Sequence, residues 1–106
     1  MFTRHVTMKL KANSTVEFNR IIENEILPLL RKQKGFRDEI TFIAPERSVA
    51  VGNSFWDTKE DAQAYNSTGY PELLKTLSTV VEGTPTVETF EVANSTCHKI
   101  AAAQAA

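Results

Sequence analysis

The feature that most constrains the fold is a strand-helix-strand pattern that occurs twice along the chain. In each half, a strand-like run is followed by a leucine-containing helical segment, a glycine and a second strand-like run. Two such units with helical crossovers predict an α+β, ferredoxin-like βαββαβ fold, with a four-stranded antiparallel sheet and both helices on one face. The segments are Phe2–Lys11, Ile26–Arg31 with Gly35, and Phe36–Ala44 in the first half, and Ser48–Trp56, Tyr70–Lys75 with Gly83, and Thr86–Val92 in the second.

Alternation in the first strand predicts that one of its faces is buried. The even-numbered residues from Phe2 to Leu10 are apolar except Arg4, and the residues between them are polar. The helix that follows has an apolar stripe at three- and four-residue spacing. Pro28 lies inside this stripe and cannot donate a backbone hydrogen bond, so we expect a bend or a restart near Asn24.

Capping and turn residues predict where the helices begin and end. The spacing in Ser14–Glu17 and in Asp57–Glu60 is that of a capping box, so each range predicts a helix start. Asn66–Gly69 is a turn signal and Pro71 suits the first turn of a new segment, which predicts that the second helix is broken there. Gly83 is expected to end that helix.

The length and composition limit the classes of protein to consider. A chain of 106 residues predicts one domain, residues 1–94, followed by a tail at 95–106 whose end, at 101–106, is of low complexity and frayed. A net charge of −1 argues against a nucleic-acid-binding protein. The single cysteine, Cys97, excludes an internal disulfide, and the two histidines, at positions 5 and 98, lack metal-ligand spacing. We therefore expect no metal and no other cofactor.

The expected location is the cytoplasm, with no membrane partner. The N-terminal region has no basic segment followed by an apolar core, which a secretory signal would require. No stretch approaches 18 consecutive apolar residues, the length of a membrane-spanning helix.

One face of the predicted sheet is left without helices and carries too many apolar side chains to remain open to water. An uncovered apolar face predicts a partner, and a homodimer that pairs two sheets is the simplest closed solution. The side chains concerned are Phe42, Val49, Val51, Phe55 and Phe90.

Three motifs resemble those of the dimeric α/β-barrel superfamily, in particular its antibiotic-biosynthesis-monooxygenase-like (ABM) group. The resemblance covers roughly residues 2 to 93 and implies a homodimer whose sheets form a shared barrel, with each ligand pocket between helices and sheet. It specifies fold better than activity, because the superfamily includes quinol oxygenation and haem degradation. The motifs are Gly35-Phe36, the run from Phe55 to Ala62, and the run from Gly83 to Val92.

Haem degradation does not fit this chain. The haem-degrading branch has an Asn on the first strand, a Trp at the end of the third strand and a His on the second helix. Trp56 matches the second of these, but Thr7 stands at about the first position, and no His occurs between Asp57 and Gly83.

The candidate pocket is built around Trp56, which could form a wall for a flat ligand. The residues that alternate with it on its strand are small, Ser54 among them, and small side chains can leave a cavity. His5 and Thr7 would share this face if the strands pair as in the family, and Tyr65 would lie above it. The assignment depends on the strand register, since a slip of one residue reverses it. The alternative for Trp56 is that it only fills the core.

His5 is the candidate catalytic residue, because its imidazole can act as a general base near neutral pH. The alternative is a histidine whose ring is simply hydrogen-bonded to a neighbour. Cys97 and His98 resemble a nucleophile and its base, but adjacent residues in an extended segment point to opposite sides, which argues against such a pair.

Two functions remain open. The leading one is a homodimer that binds a small apolar or aromatic molecule and acts as a cofactor-independent monooxygenase, in which the substrate becomes an electron-rich anion that reacts directly with O₂. The alternative is a non-enzymatic dimer that binds ligand or protein, with the pocket packed solid by Trp56, Tyr65 and Tyr70.

Overall fold

The computed structural model describes residues 1–100, in which four strands and two helical crossovers follow one another in the predicted order. Residues 92–100 form no helix or strand, and the expected frayed end at 101–106 lies outside the described residues. The division into a domain of residues 1–94 and a tail stays a prediction. The strands are β1 (Phe2–Leu10), β2 (Phe36–Ala44), β3 (Val49–Trp56) and β4 (Val81–Glu91), and the helices are α1 (Thr15–Ile21), α2 (Leu27–Arg31) and α3 (Lys59–Leu77).

The sheet confirms the predicted fold class. Its strand order is β2-β3-β1-β4, every neighbouring pair is antiparallel, and both crossovers pack on one face. Arg4 pairs with Ser54, and residues directly opposite each other share a face. Buried Arg4 and Ser54 therefore mark the face that the helices cover.

The first crossover is interrupted in the region where Pro28 predicted a bend or a restart. Ile22–Ile26 form a π-helical turn between α1 and α2, and the Leu27 N–H donates to the Ile22 carbonyl, five residues earlier. Pro28 has no N–H to offer the Asn24 carbonyl, so the chain widens into this turn before the short α2 begins.

The second crossover is one continuous helix, so the predicted break at Asn66–Gly69 is wrong. Helix α3 runs through this range and through Pro71. Thr68 Oγ1 donates to the Ala64 carbonyl at 2.9 Å, so a side chain that favours turns hydrogen-bonds within the helix. Tyr70 is buried against the core, and this packing outweighs the local turn propensity.

Helix α1 begins directly after Ser14, as the range Ser14–Glu17 predicts, but the predicted capping hydrogen bonds are not the ones observed. The Ser14 hydroxyl makes no cap hydrogen bond and donates instead to the Ala12 carbonyl. Helix α3 is capped by Thr58, whose Oγ1 accepts from the Asp61 N–H at 3.1 Å. The second start thus lies one residue later than the range Asp57–Glu60 predicts.

Strand β4 begins earlier than the sequence predicts, and Gly83 lies inside it instead of ending α3. The helix ends at Leu77, and the strand begins at Val81. The register against β1 shifts between Thr7 and Lys9, which is a bulge, and Gly83 sits there with φ +64°. A glycine with positive φ occurs in β-bulges as well as at helix ends, so Gly83 alone does not indicate where α3 ends.

The core lies between the helices and the covered face, and its largest fully buried side chains are Trp56, Phe18, Leu10 and Leu77. The opposite, open face carries the apolar residues that the sequence assigned to it. Phe42 is 53% exposed and Phe90 49%, and Ile40 beside them is 50% exposed. None of the helices within residues 1–100 combines the length and the hydrophobicity that crossing a membrane demands.

Candidate functional site

A cavity of about 40 Å³ lies between the helices and the covered face of the sheet. It is lined mostly by apolar side chains, including Ile22 and Ile26 of the π-helical turn. At about 10–15 Å³ for each water molecule, it has room for about three. Its polar lining consists of Arg4, Glu39, Thr41, Ser54, Tyr65 and Tyr70.

Arg4 is the most unusual residue of this cavity, because its guanidinium is buried and forms no ion pair within residues 1–100. The side chain of this β1 residue is only 3% exposed. Its Nη1 donates to Asn66 Oδ1 at 2.8 Å, but within the described part of the chain Nε and Nη2 have no hydrogen-bond partner. Burial lowers the pKa of Arg4, and the neighbouring tyrosines raise it. An arginine remains protonated even so, which leaves a positive charge in an apolar cavity.

Two tyrosines of α3 hold the guanidinium in place. The Arg4 Cζ lies 4.5 Å from the centre of the Tyr70 ring and 5.3 Å from that of Tyr65, both within cation–π range. Burial raises the pKa of both phenols, and the charge of Arg4 opposes this. Both tyrosines are therefore neutral near pH 7. They make cation–π contacts with Arg4 but do not neutralise its charge.

Glu39 brings an ionisable carboxyl to the same cavity from β2. It pairs with Ser54 across the sheet, and its Oε1 accepts a hydrogen bond from Thr41 Oγ1 at 2.6 Å. Burial raises the pKa of Glu39, whereas the hydrogen bond from Thr41 lowers it. A half-buried carboxyl whose pKa is raised can accept a proton from a ligand and return it.

Trp56 is packed into the core. Its side chain is fully buried, its ring stacks on that of Tyr65 at 4.8 Å, and its Nε1 donates to Ser54 Oγ at 2.9 Å. The edge of the Phe36 ring contacts it from the end of β2, at 5.6 Å between centres. Trp56 does not line the cavity, so its geometry matches the packing interpretation more closely than that of a ligand wall.

The expectation that His5 and Thr7 share a face with Trp56 is wrong. His5 pairs with Asn53 and Thr7 with Val51, so both lie on the open face of the sheet. His5 Nδ1 lies 2.9 Å from the Asn53 side-chain oxygen. The five residues of the predicted pocket therefore do not form one site. The covered side of the sheet holds Ser54, Trp56 and Tyr65, and the open face carries His5 and Thr7. The functional roles of all five residues stay predictions.

Sequence reasoning missed Arg4 and Glu39. The signal for Arg4 was present, because it is the one charged residue in the otherwise apolar set of β1. Glu39 carried no comparable signal, since a glutamate on a strand is usually solvated. Its position in the cavity follows from the pairing of β2 with β3.

The segment after β4 lies against the open face. The His98 ring lies 6.2 Å from that of Phe55, and its Nε2 contacts the Asp38 carboxylate on β2. Cys97 Sγ lies instead beside the Ser95 hydroxyl, at 3.3 Å. Within residues 1–100, no group of three His, Cys, Asp or Glu side chains could hold a metal ion.

Comparison of the chain with known proteins finds similarity in structure only. No family model and no curated protein matches its sequence. Among solved structures, the ActVA-Orf6 monooxygenase of Streptomyces coelicolor, in complex with nanaomycin D, is 16% identical with a TM-score of 0.71, and the match covers 84% of each chain. A variant of SnoaB, a cofactor-independent oxygenase from Streptomyces nogalater, is 12% identical with a TM-score of 0.73, covering 92% of this chain and 97% of its own.

A third similar structure is the NE2512 protein of Nitrosomonas europaea, whose function is unknown. It is 17% identical with a TM-score of 0.73, and the match covers 95% of this chain and 94% of that one. These likenesses confirm the resemblance to ABM-domain proteins at the level of the fold. Proteins of this fold include oxygenases and a protein without a known function, so the fold leaves the activity open.

Proposed function

We propose that this protein binds a small molecule with an apolar or aromatic body in the cavity between its helices and its sheet, and oxygenates it without a cofactor. The observation that carries the proposal is the buried, positively charged Arg4 in a mostly apolar cavity. Small-molecule sites combine such an apolar lining with a few polar groups that orient the ligand. The oxygenases among the structural neighbours support the activity.

The cavity residues suit the formation of an electron-rich anion. Arg4 holds a negatively charged group of the ligand, and Glu39 accepts the proton that the reacting position loses. The resulting anion reduces O₂; one oxygen atom enters the product, the other leaves as water, and the substrate supplies the electrons. Glu39 takes the place that the sequence assigned to His5, because His5 lies on the open face.

Ligand entry requires the cavity to enlarge. Its volume of about 40 Å³ is well below the 300–1,000 Å³ typical of ligand sites. The π-helical turn Ile22–Ile26 lines it, and π-helical turns recur at functional sites. We propose that this turn and α2 shift outward when ligand binds.

Aerobic incubation with a panel of quinols and polyphenols tests the activity. We expect O₂ consumption above the rate in buffer and a change in Trp56 fluorescence through its stacking on Tyr65. Glu39→Gln should lower kcat by a larger factor than it changes KM. Glu46→Gln, on an exposed turn, should leave both kcat and KM unchanged. No O₂ consumption with the whole panel, together with unchanged Trp56 fluorescence, would exclude an oxygenase acting on these substrates.

The second candidate function is a non-enzymatic dimer on the same fold. The full burial of Trp56 and the small cavity volume favour it. In that case the open face binds a second copy of the chain, and neither quinols nor polyphenols change the fluorescence of Trp56. In both candidates we propose that the open sheet face forms the homodimer interface.

A further inference from the structure

The two unpaired donors of Arg4 lie on the same edge of its guanidinium. The guanidinium is planar, and Nη2 is on the side of the Nε hydrogen, whereas Nη1 is on the side of Cδ. Nη1 donates to the side-chain oxygen of Asn66, and the two tyrosine rings pack near the guanidinium carbon. Nε and Nη2 thus remain as two parallel N–H donors, both buried and without a partner in the described part of the chain.

Two parallel donors of this kind match a particular class of acceptor. The Nε–Nη2 edge forms two hydrogen bonds at once with the two oxygens of a carboxylate. A phenolate, an enolate or a carbonyl offers one oxygen, which the two parallel donors must share at less linear angles. Poor pairing of buried donors is costly, so an acceptor with two oxygens is preferred.

The charges around the cavity favour a monoanion. Among the described residues, Arg4 is the only cation that lines it, and Glu39 on β2 contributes a carboxyl of its own. A carboxylate neutralises the charge of Arg4, whereas a phosphate dianion would leave a buried negative charge beside Glu39.

We infer that the Nε–Nη2 edge of Arg4 binds the carboxylate of a small organic acid, whose apolar part lies against the aliphatic lining of the cavity. The inference rests on the proposed use of this cavity as a ligand site and adds the chemical class of the ligand. Tyr65 and Tyr70 are positioning residues in this arrangement, because their rings contact the guanidinium and line the same cavity.

Acetate and acetamide form the matched pair of probes for this site, since they have nearly the same shape and only acetate is charged. Thermal unfolding is followed in a buffer without carboxylates, at constant ionic strength, with acetate, acetamide, benzoate or inorganic phosphate added. We expect acetate and benzoate to raise Tm, by about 5 °C at ten times the dissociation constant, and acetamide and phosphate to leave it unchanged.

Arg4→Met is the decisive variant. It replaces a buried unpaired cation with an apolar side chain of similar length, so we expect it to fold at least as stably as the wild type. Its affinity for acetate should be weaker by at least about tenfold. Arg47→Met, on an exposed turn, is the matched control and should respond to acetate as the wild type does. Arg4→Lys keeps the charge without the parallel donors and should also lose most of the affinity.

A measurement on the wild type makes the test independent of how the variants fold. In ¹H–¹⁵N NMR spectra, acetate should move the Arg4 Nε–H resonance, and acetamide should not. An equal rise of Tm in the wild type and in Arg4→Met, no response of the wild type to acetate, or a response to phosphate alone would each overturn the inference.

The two proposals fail separately. Oxidation of neutral quinols without any response to acetate would keep the oxygenase and overturn the carboxylate site. Saturable acetate binding that depends on Arg4, without O₂ consumption by any quinol or polyphenol, would support the carboxylate site and exclude an oxygenase acting on those substrates.

Discussion

At the scale of single residues, the covered face owes its character to close contacts around Tyr65. This side chain stacks on Trp56, approaches the guanidinium of Arg4 and lies against the backbone of Gly69, one turn later in α3. Tyr65 thus belongs to the buried core and also lines the cavity. A change that moves the Tyr65 ring should therefore affect both stability and the candidate site.

Gly69→Ala should destabilise the protein, although alanine is the better helix former by about 1 kcal/mol. An added Cβ would lie 2.7 Å from two carbons of the Tyr65 ring, so the ring must move and its stacking on Trp56 must change. We expect a net loss of about 1–2 kcal/mol in the free energy of unfolding, measured in urea, and a changed near-ultraviolet circular dichroism spectrum. Ser67→Ala, exposed on the same helix, should cause no loss; a more stable Gly69→Ala would contradict the packing described here.

Glu39→Gln should change how stability depends on pH. Burial raises the pKa of Glu39 in the folded state, so the folded protein holds this proton up to a higher pH than the unfolded chain, whose glutamates titrate near about 4.3. The wild type therefore loses stability as pH rises through the folded pKa. The glutamine does not titrate, so the variant should be the more stable form at pH 7 and should lose this advantage toward pH 4. Urea unfolding at several pH values measures this, and Glu46→Gln should reproduce the wild-type profile.

At the scale of secondary-structure elements, tertiary packing overrides several local signals. Helix α3 continues through a turn-forming sequence and a proline because its buried face packs on the sheet. In the first crossover, in contrast, the missing N–H of Pro28 does determine the local structure, and a π-helical turn forms before it.

Thr58→Ala and Ser14→Ala should differ in their effect on stability. Thr58 Oγ1 accepts the Asp61 N–H at the start of α3, so its removal should cost about 1 kcal/mol in the free energy of unfolding. Ser14 makes no cap hydrogen bond to α1, so its removal should cost a few tenths of a kcal/mol or less. Urea unfolding of both variants measures the difference. Equal losses would show that Ser14 caps its helix in solution.

At the scale of the whole molecule, the most conspicuous feature is the open face of the sheet. Its large apolar side chains are about half exposed, and they are contributed by β2 and β4 at opposite edges of the sheet. Large apolar side chains exposed on one face in this way often mark a protein–protein interface. His5 lies on this face and would be enclosed by a second sheet, so any catalytic role of His5 would belong to the interface.

Phe42→Glu should convert the proposed homodimer to a monomer in sedimentation velocity experiments. The side chain is 53% exposed on the open face, so a carboxylate costs the single chain little but would be buried against a second sheet. Far-ultraviolet circular dichroism should show an unchanged fold. Val16→Glu is the control, because Val16 is exposed on α1, away from the sheet, and this variant should remain a dimer. A monomeric wild type at micromolar concentration would contradict the proposed homodimer.

The sequence by itself determined the order of the elements and the existence of one covered and one open face. Hydrophobic periodicity carries this information, since period two specifies a half-buried strand and a spacing of three to four specifies a helix. The same patterns placed Phe42 and Phe90 on the open face and the interruption of the first crossover near Pro28, and the structure agrees with them.

Only the tertiary structure decided which residues meet in the candidate site. Strand β3 has small residues on one face and mixed residues on the other, so its own pattern did not tell which face of β1 it shares. Interstrand hydrogen bonds form in more than one register, and a slip of one residue moves His5 and Thr7 to the face of Trp56. The observed register pairs Arg4 with Ser54, and the packing of Trp56 and Arg4 against Tyr65 on α3 stabilises it. Strand pairing and long-range side-chain contacts, which no local pattern encodes, therefore brought Glu39, Ser54 and Tyr65 to the cavity beside Arg4.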